Sequence, residues 1–202
     1  MKTNASLRAF KLAAFAIVIA LGVSIGPVQA NPYIVTLQQV GSNVVATGTG
    51  EIDLSGLTFS YFLSSGAFVD PSAGYILTDA GGNLSSYTSV SGPATFGTGT
   101  QTNVSSGSGD LVGVGGSQLF VPQGYVSDSV LSDSSTYNSA TLSSLGVTPG
   151  IYTWTWGTGP NQSFTLDAVA PAVPDSGSTL ALLAVALAGF FGASRLRCLR
   201  LA

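Results

Sequence analysis

The segment Ile151-Tyr152-Thr153-Trp154-Thr155-Trp156 decides the fold class, because its side chains alternate with a period of two. Successive side chains of a β-strand point to opposite faces, so Tyr152, Trp154 and Trp156 share one face. β-branched and aromatic residues are also the types enriched in strands. The segment therefore predicts a strand. We expect its aromatic face to be buried, since an exposed aromatic stripe that stacks on sugar rings is the less common case.

Similar short segments extend through residues 31–170, separated by Gly, Pro, Asn and Asp. About ten short strands with Gly-rich turns and no helical periodicity predict an all-β fold, an antiparallel β-sandwich. A β-helix is the alternative, but no fixed repeat period supports it. The clearest predicted strands cover residues 33–40, 43–49, 57–63, 75–78, 111–114, 118–121, 151–156 and 163–169.

Several local features are predicted within this domain. Gly41-Ser42 between the first two strands indicates a hairpin. Ile52 and Leu54 alternate with acids and should face inward, and Leu57, Phe59, Tyr61 and Leu63 should share one face of their strand. Residues 80–83 read as a turn, and the Gly-, Ser- and Thr-rich residues 91–109 as an exposed loop with little core content.

The charges of the chain are strongly segregated. All basic residues lie near the two ends: Lys2, Arg8, Lys11, Arg195, Arg197 and Arg200. Residues 31–170 contain no Lys, Arg, His or Cys, so their side chains form no salt bridges and no disulfides. Neutralising phosphates requires cationic side chains, so this domain is not expected to bind nucleic acid or anionic membranes.

The composition also argues against an enzyme. A Ser nucleophile needs a base such as His or Lys, and zinc sites draw on Cys and His. Paired carboxylates cleave glycosides, and the acids near predicted loops are Asp70, Asp79, Asp110 and Asp128. Asp next to Pro, Gly, Ser or Ala more often shapes a turn through its own side chain. We therefore expect no catalytic residues.

Calcium is the one ion that the composition permits, because it accepts oxygen ligands alone. Asp128 and Asp133 are close in sequence, but no D-x-D-x-D-G loop is present. The sequence therefore predicts no metal ligand and no cofactor, with calcium as the alternative.

The N-terminus has the pattern of a signal peptide over residues 1–30. Lys2, Arg8 and Lys11 precede an apolar stretch at residues 12–25, which predicts a signal helix. Val28 and Ala30 supply small residues at the −3 and −1 positions, so cleavage is expected after Ala30. An uncleaved first helix is the alternative. In both cases the residues that follow are exported.

Residues 171–202 have three parts. A polar motif at residues 173–179 begins Val173, Pro174, Asp175, Ser176, Gly177 and precedes an uncharged apolar run at residues 180–193. We predict a hydrophobic helix over residues 180–194, followed by a basic tail at residues 195–202. A membrane span needs about 20 apolar residues, so the run is short for a permanent anchor. Arginines at 195, 197 and 200 would stay cytoplasmic and keep residues 31–170 outside. A buried core helix is the alternative.

The order of motif, apolar run and basic tail resembles the PEP-CTERM class of bacterial sorting signals, in its VPDSG variant. The resemblance implies an exosortase, a membrane-embedded cysteine transpeptidase that would cut near the motif. Stretches of the domain, including residues 121–127 and 144–154, also resemble passengers that precede such tails. The resemblance therefore implies involvement with extracellular polysaccharide or biofilm matrix.

These observations predict an exported, non-enzymatic surface or matrix protein that contacts the membrane transiently through its C-terminal helix and then reaches the cell surface or medium. Its expected partners are an exosortase and exopolysaccharide. One alternative is a carbohydrate-binding or carbohydrate-cleaving β-sandwich that uses Trp and Asp side chains. Another is a permanent membrane protein with one span whose tail is never removed.

Overall fold

The structure is a computed structural model that describes residues 31–171. The signal helix and hydrophobic helix predicted at the two ends lie outside the described residues, as does the sorting motif. Within residues 31–171, no helix is long and apolar enough to cross a membrane.

The described residues form two β-sheets and confirm the predicted all-β sandwich. The only helical element in this part of the chain is a 3-10 turn at Pro71–Ala73. The strands are β1 Tyr33–Val40, β2 Asn43–Glu51, β3 Thr58–Ser65, β4 Phe68–Asp70, β5 Tyr75–Thr78, β6 Gly82–Thr88, β7 Thr102–Asn103, β8 Ser106–Gly109, β9 Val112–Gly115, β10 Gln118–Pro122, β11 Val130–Tyr137, β12 Gly150–Thr155 and β13 Ser163–Ala168.

The first sheet has the order β12-β13-β1-β2-β11-β8, and the second has the order β3-β6-β10-β9-β5-β4-β7. All neighbouring strands in both sheets are antiparallel except β1 and β13, which pair in parallel with Val35 opposite Leu166. This pairing places the last strand beside the first, so both ends of the described domain belong to the first sheet.

The main core lies between the two sheets and is built from one side of the strands that contribute to it. Val35 and Leu37 of β1 and Leu166 of β13 are buried from the first sheet, and Ile76 and Val114 are buried from the second. Their neighbours in sequence point to the opposite faces because side chains alternate along a strand. On the second sheet those opposite positions hold a smaller buried cluster: Ala67, Leu77, Leu84, Leu111 and Phe120.

Several predicted elements are confirmed. The turn Gly41-Ser42 joins β1 and β2, with Val40 opposite Asn43, and Gly41 has a φ of 61° that suits this tight connection. Ile52 is fully buried as predicted, whereas Leu54 is partly buried. The strands predicted at residues 111–114 and 118–121 correspond to β9 and β10.

The predicted shared face of Leu57, Phe59, Tyr61 and Leu63 is wrong. Leu57 precedes β3, and the pairing of β3 with β6 shifts between Phe59 and Tyr61, where Ser60 is an extra residue. A bulge of this kind reverses the alternation beyond it. Phe59 therefore shares a face with Phe62, and their ring centroids are 4.8 Å apart.

The interpretation of residues 91–109 as an exposed loop is also wrong in part. The segment contains β7 and β8, and the Phe96 side chain is buried in the main core. The backbone of this segment approaches Gly146 closely at Gly97, which has no side chain. A Cβ at Gly97 would overlap the Gly146 carbonyl oxygen. The turn predicted at residues 80–83 is shorter than expected, because Gly82 already begins β6.

The sequence patterns missed β11, the strand between β2 and β8. Its inward side is Leu131, Asp133, Ser135 and Tyr137, so two polar residues interrupt the apolar alternation that marks a strand. Asp133 is buried, and the Tyr33 hydroxyl donates a hydrogen bond to its Oδ2. Its Oδ1 has no partner among the described residues. Burial raises the pKa of Asp133 to about 6, although the Tyr33 hydrogen bond opposes this shift.

We predict that Asp133 makes the stability of the domain fall as the pH rises. An ordinary Asp pKa is about 3.9, so the folded state binds the proton more tightly than the unfolded state does. The resulting stabilisation is complete below pH ~4 and is lost as the pH rises through about 6, by roughly 3 kcal/mol. Urea unfolding between pH 4 and 8 measures it.

The variant Asp133→Asn should abolish that pH dependence, because an amide keeps an acceptor for Tyr33 and does not titrate in this range. Asp167→Asn is the matched control, since Asp167 lies half-buried on the opposite side of the first sheet. Equal slopes of stability against pH for the wild-type protein and Asp133→Asn would contradict this assignment.

Candidate functional site

The outer face of the first sheet carries a broad array of hydroxyl groups. Strand pairing aligns one row as Thr153, Thr165, Ile34, Thr49 and Ser132 across β12, β13, β1, β2 and β11. The next row is Ile151, Asp167, Thr36, Thr47, Ser134 and Ser108, which reaches β8. We call the Ser and Thr residues of these two rows the hydroxyl face.

The hydroxyl face is open to solvent and nearly free of charge. Thr47, Thr49 and Thr153 are exposed, and Asp167 is the one ionisable side chain in the two rows. Neighbouring strands are about 4.8 Å apart, and side chains on one face of a strand repeat every ~6.6 Å. The surface thus presents regularly spaced hydroxyl groups, each of which both donates and accepts hydrogen bonds.

A second exposed surface lies at the edge of the other sheet. Phe59 and Phe62 of β3 are 46% and 61% exposed, and Phe59 packs edge-on against Tyr87 at 5.8 Å. We call Phe59, Phe62 and Tyr87 the aromatic edge. No sequence pattern predicted it, because the bulge at Ser60 brings the two Phe side chains to one face.

Two of the three residues of the predicted aromatic stripe, Trp154 and Trp156, are buried as expected, whereas Tyr152 is half-buried. Trp154 is 2% exposed and makes edge-on contacts with Phe96 and Phe164, at centroid distances of 6.3 and 5.9 Å. The Trp156 Nε1 donates to the Asp53 carbonyl oxygen at 2.7 Å. These rings hold the sandwich together and are not accessible to a sugar.

The acids considered as paired carboxylates mostly bond to nearby backbone and hydroxyl groups. Asp70 accepts from Ser72 Oγ at 2.8 Å and from the Ala73 amide at 3.2 Å, which caps the 3-10 turn. Asp110 accepts from the Ser132 amide at 2.9 Å. Asp79 has a φ of 102° and is buried at the end of β5, where its backbone bonds to Ser135 Oγ. The expected turn role is confirmed for Asp70.

The two acids considered for calcium have separate partners. Asp128 accepts from Asn161 Nδ2 at 3.1 Å, whereas Asp133 accepts from Tyr33 in the core. Within residues 31–171, no group of three or more His, Cys, Asp or Glu side chains has an arrangement that would hold a metal ion.

Asp128 belongs to a cluster that sequence reasoning missed. The buried Asn161 amide donates through Nδ2 to Glu51 Oε2 and to Asp128 Oδ1, each at 3.1 Å. Its Oδ1 accepts from the Asn31 backbone nitrogen at 2.8 Å. We call Asn31, Glu51, Asp128 and Asn161 the acid–amide cluster. Its residues come from four distant parts of the sequence, and only the fold brings them together.

Two further titratable side chains near this cluster, Asp53 and Tyr125, are also held by several hydrogen bonds. The backbone amide of Ser55 lowers the pKa of the neighbouring Asp53, which also accepts from Ser127 Oγ and Gln162 Nε2. Tyr125 bonds to the backbone of Ile52 and Ser129, and burial raises its pKa. Asp128 and Glu51 contribute to that shift because their negative charges disfavour a phenolate.

Fold and surface together define an acidic β-sandwich whose broad exposed face is neutral and hydroxyl-rich. The chain also carries a VPDSG-CTERM motif, whose family model matches residues 172–197 and confirms the resemblance seen in the sequence. The motif is a PEP-CTERM-type sorting signal and indicates an exported surface protein that an exosortase sorts. No curated protein and no solved structure matches the chain.

We predict that Asn161→Ala destabilises the domain by about 3 kcal/mol. The change removes three side-chain hydrogen bonds, two of them to carboxylates, and leaves Ala at a φ of 61°. Chemical denaturation measures the loss. The exposed Asn138→Ala is the control and should change stability by less than about 0.5 kcal/mol. Similar midpoints for the two variants would show that the cluster is dispensable.

Proposed function

We propose that this chain is an exported, non-enzymatic protein of the cell surface or extracellular matrix, which an exosortase cuts at its VPDSG-type signal. The observation that carries the proposal is the sorting motif matched at residues 172–197. The apolar run and three arginines follow the motif in the order that such processing requires.

Two processing steps follow from this proposal. Signal peptidase removes residues 1–30 after Ala30, and the apolar run at residues 180–193 then holds the chain in the membrane with Arg195, Arg197 and Arg200 on the cytoplasmic side. Cleavage near Val173–Gly177 releases or transfers residues 31–171 to the surface. Membrane contact is therefore transient.

The hydroxyl face supports contact with a polysaccharide. Sugar hydroxyls donate and accept hydrogen bonds, and so do the exposed Thr and Ser side chains of this face. Residues 31–170 carry acids and no basic side chain, so an acidic polysaccharide would be repelled. We therefore propose a neutral exopolysaccharide as the ligand.

A non-enzymatic role is supported by the bonding of the acids. Asp70 and Asp110 bond to nearby backbone amides, which fixes their side chains in structural roles. A Ser or Thr nucleophile requires a base, and residues 31–170 contain neither His nor Lys. Cofactors and metals have no part in this proposal.

The aromatic edge supports a second candidate function, a module that binds carbohydrate by stacking. Phe59 and Phe62 are exposed side by side, and aromatic faces pack against the apolar faces of sugar rings. In this candidate function the aromatic edge serves in place of the Trp side chains of the carbohydrate-binding alternative, because Trp154 is buried as expected. The two candidates differ in the surface that touches the glycan.

The sorting step predicts a change of location when the motif is altered. Replacing Pro174 and Asp175 with Ala in the native host should leave the protein in the membrane fraction with its tail attached. Ser178→Ala, which lies after the pentapeptide, is the control. Fractionation and immunoblotting measure the outcome, and normal surface delivery of the Pro174/Asp175 variant would contradict exosortase recognition of the motif.

Binding to purified neutral exopolysaccharide separates the two surfaces. Thr47→Ala with Thr49→Ala should weaken binding about thirtyfold if the hydroxyl face is used, because two hydrogen bonds worth ~1 kcal/mol each are lost. Phe59→Ser with Phe62→Ser should do so if the aromatic edge is used. Each double variant is the control for the other in a sedimentation assay. Unchanged binding by both would contradict both surfaces.

A further inference from the structure

The backbone nitrogen of Asn31 lies in a polar environment that suits a positive charge. It donates to Asn161 Oδ1 at 2.8 Å, and the same amide bonds through Nδ2 to the carboxylates of Glu51 and Asp128. Asn161 is 4% exposed, so its orientation is fixed by these three bonds. Two negative charges therefore polarise the carbonyl group that faces the Asn31 nitrogen.

The segment that follows Asn31 is held in place by backbone contacts. The Glu51 amide donates to the Asn31 carbonyl oxygen at 2.8 Å, and Pro32 forms a parallel bridge with Glu51. Gly50 permits this approach, because a Cβ there would lie 2.6 Å from the Pro32 carbonyl oxygen. The position of the Asn31 nitrogen is thus determined by the fold and not by the residues before it.

Asn31 is also the residue that would become the N-terminus. Cleavage of the Ala30–Asn31 peptide bond by water turns the neutral Asn31 amide into an α-amine, which takes up a proton, and leaves the carboxylate on Ala30. Residues 31–170 contain no Lys, Arg or His, so this ammonium would be the sole positive charge of the mature domain. It would form within the acid–amide cluster.

We propose that the acid–amide cluster is a docking site for the α-ammonium group that signal-peptide removal creates at Asn31, so that maturation itself stabilises the fold. The inference rests on the proposed cleavage after Ala30 and is independent of the exosortase step. In the precursor the same nitrogen is an uncharged amide, and the carboxylates of Glu51 and Asp128 face no cation. After cleavage the ammonium offsets their charge.

The titratable groups around the Asn31 nitrogen come from two parts of the fold. Glu51 ends β2, and Asp53 lies two residues further along the chain. Tyr125 and Asp128 lie between β10 and β11, and the segment between β12 and β13 contributes the neutral Asn161 and Gln162. All three acids favour the charged amine. The stabilisation should hold below the ordinary α-amino pKa and be lost as the pH rises through the raised value.

The chain offers a selective way to test this inference. Residues 31–202 contain no Lys, so the α-amine is the one primary amine of a chain cleaved after Ala30, whether or not the tail remains. The full chain is expressed in an exporting bacterium and purified in detergent, and its N-terminal residue is identified by mass spectrometry. Reductive ¹³C-methylation then labels the amine, and its NMR signal is followed from pH 6 to 11.

The expected result is an N-terminal Asn31 whose amine titrates about one unit above the ordinary 7.7–8.0. Glu51→Gln and Asp128→Asn should each lower that value, whereas the control Asp167→Asn should not. Acetylating the amine should make the folded protein several-fold more sensitive to proteolysis. Inserting Gly-Ser between Ala30 and Asn31 should have the same effect, because it moves the charge away from Asn161.

Two results would overturn the inference. The first is an N-terminus at any other residue, which would also refute cleavage after Ala30 but leave the exosortase proposal standing. The second is an Asn31 amine that titrates in the ordinary range in the wild-type protein. Because the wild-type titration alone gives that answer, it does not depend on any variant folding.

Discussion

The absence of cationic side chains from residues 31–170 is the constraint on which the rest of the structure depends. Every carboxylate in this region must find neutral donors or face solvent. Asp70 and Asp110 therefore accept from backbone amides, and Asp133 accepts from the Tyr33 hydroxyl inside the core. Such bonds need fixed geometry, whereas ion pairs act over longer distances. Strand register consequently determines where each acid is placed.

The same constraint separates the two sides of the first sheet. Its inner side supplies apolar groups such as Val35 and Leu166, with Asp133 as a buried exception. Its outer side stays soluble through hydroxyl groups and not through Lys or Glu, which leaves a broad neutral surface that includes Thr47 and Thr49. The neutral glycan proposed as the ligand would meet hydrogen-bonding groups on this surface, whereas a nucleic acid would meet no cationic side chain. The sorting motif indicates export and sorting to the cell surface.

The sequence predicted those parts of the fold in which local pattern and burial coincide. The β1–β2 hairpin and β12 follow from alternation and turn residues, whereas β11 was missed because Asp133 and Ser135 occupy inward positions. The bulge at Ser60 has no sequence signature, so the aromatic edge was unforeseen. The hydroxyl face and the acid–amide cluster depend on strand order, which alternation does not encode. The sorting motif was recognised because its order and spacing lie within one short segment.

The central claim is that residues 31–171 form an exported domain whose two flanking segments serve delivery. The most direct test is the intact mass of the protein purified from its native host. We expect a mass that lacks residues 1–30 and the Arg-bearing tail, and any excess mass would identify the group attached by the exosortase. A mass that retains residues 180–202 would show that the tail is a membrane anchor and would contradict the account.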